Sequence, residues 1–223
     1  MLFRFPHSSW LPACRRLLLL LPVLALAAGL SARSLVKADV QLANNAVLAM
    51  YQDEDANMWI GTYDGLHLYN GKNTFVFRME LDNEFSLCSN IVLEIAPAEK
   101  GYLWVATSLG INKFSLRERR VVESYMQYVD VENIASDSEG NTVLFSGEDF
   151  ITCYRPGRAF SEDVYIPGVR AAEIVAVWSE APRVFCTLRR DGELVRYRLN
   201  DGEGKSLVRV SGRQLSARPV RKA

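Results

Sequence analysis

The chain has 223 residues, 49% of them hydrophobic, and its 26 Lys and Arg balance 26 Asp and Glu. Balanced charge argues against the clustered basic face of a nucleic-acid binder. Two histidines and four cysteines without metal-ligand spacing exclude the standard zinc patterns and leave little for nucleophilic catalysis.

Residues 1–38 read as a signal peptide. Arg4, Arg15 and Arg16 supply a positive start, Leu17 to Leu30 is an unbroken run dominated by apolar residues, and small residues follow at Ser31, Ala32 and Ala38. The 14 residues of that run cover roughly 21 Å as a helix, short of the ~30 Å hydrocarbon core. Cleavage after Ala32 or Ala38 is therefore expected, with an uncleaved anchor as the alternative, and the remainder is placed in the periplasm or outside the cell. Without this segment 21 basic residues face 26 acidic ones.

Beyond the leader the chain repeats itself. The segment from Asn44 to Asn70 returns as Ser89 to Phe114 without a gap: Asn45 matches Asn90, Trp59 matches Trp104, Thr62 matches Thr107 and Gly65 matches Gly110, each 45 residues apart. A fixed period of this length signals a repeat architecture. Within the first copy Val47 to Tyr51, Met58 to Thr62, Leu66 to Tyr69 and Thr74 to Met79 are predicted strands. They are separated by a polar turn at Asp53 to Asn57, by Asp64-Gly65, read as a type I′ hairpin turn, and by Asn70-Gly71, a second hairpin turn. Four short antiparallel strands per 45 residues is the content of one propeller blade.

Two weaker copies follow. Asn133 to Arg155 keeps the strand, turn and apolar strand with Val143 in place of the tryptophan, and Glu173 to Leu199 keeps three strands with a turn at Asp191-Gly192. The predicted fold is all-β, with about four β-propeller blades of four-stranded antiparallel sheet over residues 39–204, making an incomplete propeller. The alternative is a small closed ring of four. Residues 205–223, with Lys205, Arg209, Arg213, Arg218, Arg221 and Lys222 and no acidic residue, are expected to form a basic, solvated tail.

Several residues have a structural role to fill before a functional one. Trp59 and Trp104 are expected between adjacent blades, with Gly61 admitting a neighbouring sheet closely and Thr62, Gly65, Thr107 and Gly110 completing the repeat. Asp53, Asp55, Asn57 and Asp64 imitate a calcium loop, but Met58 occupies the place of its glycine and the second copy lacks the ligands, so a turn is the reading preferred. Cys88, Cys153 and Cys186 are expected mainly as small buried thiols, one disulfide being the other outcome. His67 alternates away from Leu66 and Leu68 on its strand. No catalytic residue, metal or cofactor is expected. The turns between second and third strands share one rim with the links between blades, which groups Tyr63, Asp64, Asn44, Asn45, Asn90 and Ser108 as candidate ligand contacts. An aromatic plane and amides suit a sugar ring and its hydroxyls.

The run Asp53 to Tyr69, with Met58-Trp59-Ile60-Gly61-Thr62 and Asp64-Gly65-Leu66, resembles the two-component regulator propeller repeat, and Leu103-Trp104-Val105-Ala106-Thr107 is similar to it, with Ala106 where glycine is usual. Behind a signal segment, this arrangement resembles the start of the periplasmic sensor region of hybrid two-component histidine kinases of polysaccharide-degrading bacteria. The resemblance implies a signal-transduction sensor for polysaccharide-derived oligosaccharides, with further blades, a membrane helix and a kinase in a full-length protein. No glycine-rich ATP-binding pattern or phosphoacceptor helix is read here, so the chain itself is not expected to be an enzyme. Membrane attachment would come only from an uncleaved leader or a missing C-terminal part. A stand-alone secreted binding or scaffold propeller, and a propeller lyase or glycosidase, are the competing readings.

Overall fold

The computed structural model describes residues 40–125, 131–157, 162–200, 207–215 and 219–220. The expected signal peptide lies outside them. Among the described residues sixteen strands form four sheets of four. Blade 1 comprises β1 (Val47–Gln52), β2 (Met58–Thr62), β3 (Gly65–Tyr69) and β4 (Thr74–Phe77); blade 2 comprises β5 (Val92–Pro97), β6 (Tyr102–Thr107), β7 (Gly110–Ser115) and β8 (Arg120–Tyr125). Blade 3 holds β9 (Asn133–Ser136), β10 (Thr142–Phe145), β11 (Glu148–Tyr154) and β12 (Glu162–Arg170), and blade 4 holds β13 (Ile174–Ala181), β14 (Val184–Arg189), β15 (Glu193–Leu199) and β16 (Leu207–Gln214). Every strand pairs antiparallel with its sequence neighbour, and a single 3-10 turn, Ala171–Glu173, leads into blade 4.

Two local expectations are corrected. The basic tail does not begin at residue 205, because Leu207–Gln214 is the outer strand of blade 4, in register with β15 from Leu199↔Leu207 to Glu193↔Gln214. Only Leu207 of that strand is buried, so its sequence carries no alternation from which an inward face could be read. The β2–β3 turn is also displaced by one residue from the type I′ reading. Thr62 pairs with Gly65, which leaves Tyr63 and Asp64 at the tip, and the positive φ of 111° falls on Gly65. The threonine hydroxyl replaces the backbone geometry as the turn's organiser. Thr62 Oγ1 donates to the Gly65 carbonyl (3.2 Å) and accepts the Asp64 N–H (3.0 Å), and Thr107 likewise donates to Gly110 (2.8 Å).

The polar turn at Asp53 is built as an Asx turn. Asp53 Oδ1 accepts the backbone N–H groups of Asp55 and Asn57 (3.0 and 2.9 Å), while Oδ2 accepts from Asn57 Nδ2 (3.0 Å) and from the Trp59 indole (2.9 Å). Asp137 repeats the arrangement in blade 3, accepting from the Glu139 and Asn141 backbones, each at 2.9 Å, and adding the N–H of Arg183 from blade 4 at 2.7 Å. The Asp53 carboxylate, first of those that imitate a calcium loop, therefore serves its own turn and the Trp59 indole, while Asp64 pairs with Arg78.

Packing runs from each blade to the next. Trp59, Leu66 and Leu68 of blade 1 lie against Ile95, Leu103, Val105, Phe114 and Val121 of blade 2, with Trp59 and Phe114 edge to face at 5.4 Å. Trp104, Ala106 and Ile111 on the opposite face of blade 2 meet Ile134, Leu144 and Tyr154 of blade 3, and the Trp104 indole donates to Thr142 Oγ1 at 2.9 Å. Val143, Phe145 and Ile151 then face Phe185, Val195, Tyr197 and Leu199 of blade 4. Trp59 and Trp104 are thus equivalent, each turned toward its successor, and burying one is worth up to ~4–6 kcal/mol on area grounds. Gly61 is where the sheets come closest: a Cβ there would stand 2.6 Å from Val92 Cγ1. The inner strands pack β1 on β5, β5 on β9 and β9 on β13, with no comparable packing of β13 on β1. Among the described residues the four blades meet at three main interfaces.

Candidate functional site

Antiparallel alternation puts the β2–β3 and β6–β7 turns at the same rim as the links entering each blade, and hydrogen bonds join them. Gly65 N–H donates to the Asn90 carbonyl (2.7 Å), Met79 N–H to Asn90 Oδ1 (2.8 Å), and Ser108 N–H to the Ile91 carbonyl (3.1 Å). Ser108 Oγ lies 2.9 Å from Ser89 Oγ. Asp64, Asn90 and Ser108 are therefore brought to one rim, but their polar atoms already hold the turns and links there. Asp64 forms a two-pronged pair with Arg78 (3.0 and 2.9 Å), and that guanidinium holds its carboxyl below the usual range. At the entry to blade 1, Asn44 Oδ1 accepts the Ala46 N–H at 2.7 Å, and Asn45 is exposed. Tyr63, 52% exposed at its turn tip, presents a ring to solvent.

The rim's main concavity belongs to residues that the sequence reading passed over. The long link from Arg78 to Ile91 frames a groove of about 680 Å³ that includes Met79, Glu80, Asn83, Phe85, Ser86 and Ser124. A contiguous groove of about 530 Å³ runs past Arg78, Arg119 and Arg120. The link is fixed rather than loose: Ser86 Oγ accepts the Glu80 N–H and donates to the Asn83 carbonyl (3.0 and 2.8 Å), and Val121 N–H holds the Phe85 carbonyl at 2.9 Å. Arg120 stacks 4.1 Å from the Phe85 ring centre. The available signal was an unmatched spacer between the fourth strand and the next repeat that carries Met79, Leu81, Phe85 and Leu87 among polar residues.

Two buried polar groups lie apart from this rim. His67 is fully buried opposite Leu66 and Leu68, its Nε2 accepts the Ala43 N–H at 3.0 Å, and its Nδ1 is buried without a partner. Burial lowers its pKa below the usual histidine value. The repeat explains the arrangement: 45 residues on, Asn112 Oδ1 accepts the Cys88 N–H at 2.9 Å, so this is a strut position. Lys113, on the blade 2 side of the interface with blade 3, pairs with Glu99, lies 3.4 Å from Glu123 and donates to the Tyr154 hydroxyl at 2.8 Å. Burial opposes its charge, yet the bonds to Glu99 and Tyr154 outweigh that and raise its pKa. Among the described residues, Cys88, Cys153 and Cys186 form no disulfide.

Four-stranded antiparallel sheets stacked by equivalent residues at successive interfaces define a β-propeller protein, here of four blades. Residues 41–64, which include the Trp59 motif, match the family described as Two component regulator propeller. No curated protein matches the chain. Among solved structures, it is similar to the extracellular domain of the putative hybrid two component system BT3049 from B. thetaiotaomicron, with a TM-score of 0.57 and 19% identity over 76% of this chain and 25% of that one. The corresponding domain of BT4673 from the same organism gives a TM-score of 0.55 and 18% identity over 75% of this chain and 22% of that one. The structure titled U3-55K gives 0.57 at 12% identity, covering 74% of this chain and 51% of that one. At these identities the likeness is one of fold. The chain spans about a quarter of the length of the two extracellular domains. Among the described residues no helix is long and apolar enough to cross a membrane.

Proposed function

We propose that this chain is the ligand-sensing propeller segment of a two-component signal transduction sensor, working in the periplasm after export by its leader and responding to polysaccharide-derived oligosaccharides. The observation that carries the reading is the match of residues 41–64 to the two-component regulator propeller repeat in a fold shared with extracellular domains of hybrid two-component systems. The segment acts by binding, and a kinase elsewhere in a longer sensor supplies the output.

The chemistry of the link rim supports a sugar ligand. The exposed ring of Tyr63 offers a stacking plane, and the groove beneath the Arg78–Ile91 link adds Phe85 with Glu80 and Asn83, whose side chains have capacity for hydroxyl groups beyond the bonds that fix the link. Of the candidate contacts, Tyr63 and Asn45 are exposed, whereas Asp64, Asn44, Asn90 and Ser108 contribute by holding the rim's shape. Isothermal titration against a panel of plant and host oligosaccharides tests the proposal. At least one should bind, and Tyr63→Ala and Phe85→Ala should each weaken it by about tenfold, the loss of one good contact. Silence across the panel, or binding indifferent to both substitutions, overturns the assignment.

A further inference from the structure

The groove at the Arg78–Ile91 link is not uniform in charge. One half is lined by Glu80, Asp82 and Glu84, and the contiguous half by Arg78, Arg119 and Arg120, with Glu80 common to both. Three arginines thus gather at one place in a chain that, beyond the leader, has 21 basic residues against 26 acidic ones.

Two of the three are engaged. Arg78 gives its Nε and Nη2 to Asp64 at 3.0 and 2.9 Å, and Arg120 pairs with Glu118 at 2.6 Å while its guanidinium lies 4.1 Å from the Phe85 ring centre. Arg119 differs. Its guanidinium lies over Phe75 of β4, 5.0 Å from the ring centre, so that blade 2 reaches across to blade 1, and among the described residues it has no carboxylate partner. Glu80, the carboxylate shared by both halves, already accepts from Asn83 Nδ2 at 2.7 Å. A guanidinium stacked on a ring loses freedom but keeps its in-plane N–H donors, a fork that matches a carboxylate or a sulfate.

The backbone beneath Arg119 points the same way. Arg119 has a φ of 54° and donates its N–H to the Ser115 carbonyl at 2.8 Å, whereas the matching turn of blade 1 places a glycine, Gly71, at its positive φ of 86°. Glycine adopts this region freely, and a large side chain is kept there at some expense of stability. The turn spends that stability on an arginine whose charge no neighbour uses.

We infer that the oligosaccharide sensed is acidic: its carboxylate or sulfate ester is received by Arg119 with Arg120 beside it, while hydroxyl groups further along meet Glu80 and Asn83. The inference rests on the sugar-binding role proposed for this groove. Asp82 and Glu84 repel an anion from the other half, which gives the bound sugar chain its direction.

Titration of the chain with galacturonic acid oligomers and with sulfated galactan oligomers, each beside the neutral counterpart made by carboxyl reduction or desulfation, tests it and separates the two anions. At least one acidic oligomer should bind about tenfold or more tightly than its neutral counterpart, by a margin that shrinks as sodium chloride is raised. Arg119→Gln and Arg119→Gly, at an exposed position, should each remove most of that margin, and Arg119→Gly should leave the urea midpoint unchanged or higher, because the positive φ suits glycine. Neutral oligomers binding alone, or neutral and acidic ones binding alike, overturn the inference and leave the sugar-sensing reading standing. Silence from both overturns the two together. A preference for acidic oligomers that survives both substitutions overturns the inference as well, since the anion then sits elsewhere.

Discussion

At the residue scale, the informative side chains are those whose repeat mates show what they are for. His67 and Asn112 perform one task with different chemistry, and only the histidine titrates. Its neutral form is favoured in the folded chain, chiefly by burial. Stability is therefore full above the unfolded histidine pKa near 6.5 and falls as pH drops from there toward the lowered folded value, because the unfolded chain takes up the proton first. His67→Asn, copying blade 2, should keep the bond to Ala43 and flatten this part of the profile; urea midpoints of both proteins at several pH values between neutral and mildly acidic compare them. Gly61 is constrained from the neighbouring sheet. In Gly61→Ala the new methyl meets Val92 Cγ1 at 2.6 Å and the Val92 carbonyl at 3.1 Å, so a loss of about 1–3 kcal/mol is expected in thermal or denaturant unfolding. Adding Val92→Ala should not restore it fully, since the carbonyl stays in place.

At the scale of elements, the blade interfaces decide what the sequence discloses. The first two blades were legible because Trp59 and Trp104 sit at the same step of the repeat and face the same way, and their strands agree with the predicted ones to within a residue or two. Blade 3 was weaker to read because its interface uses Val143 and Phe145 where blade 1 uses Trp59 and Gly61, a different division of the same volume between two positions. The outer strand β16 was not legible, since a strand exposed along nearly all its length has no buried face to leave a pattern. The groove at the Arg78–Ile91 link escaped for a related reason: a connection that matches no other copy has no period. Lys113 tests what an interface tolerates. Lys113→Met removes a cation that Glu99 and Tyr154 share, and should cost about 1–3 kcal/mol, less than a fully buried pair because Glu99 retains some solvent. Glu99→Gln added to it should recover part of that loss, which a double-mutant cycle by denaturant unfolding measures.

At the scale of the whole molecule, the chain is a row of units in which each sheet leans on the next, and its stability is approximately the sum of the blades and the junctions between them. Blades 2 and 3 have a junction on either side, whereas blades 1 and 4 have one each. The backbone amides of β6 and β10 should accordingly exchange with solvent deuterium more slowly than those of β2 and β14, although all four are second strands with two hydrogen-bonded neighbours. Hydrogen exchange followed by mass spectrometry reads that gradient, and equal protection in all four blades would contradict it.

The three junctions carry a further consequence for how the chain comes undone. A row whose end blades have one junction each frays inward, so its weakest points are the outermost wedges, and whatever caps one end also lends resistance to the sheets behind it. Slowing of exchange in the first and last blades when a partner is added would be the kinetic mark of such capping.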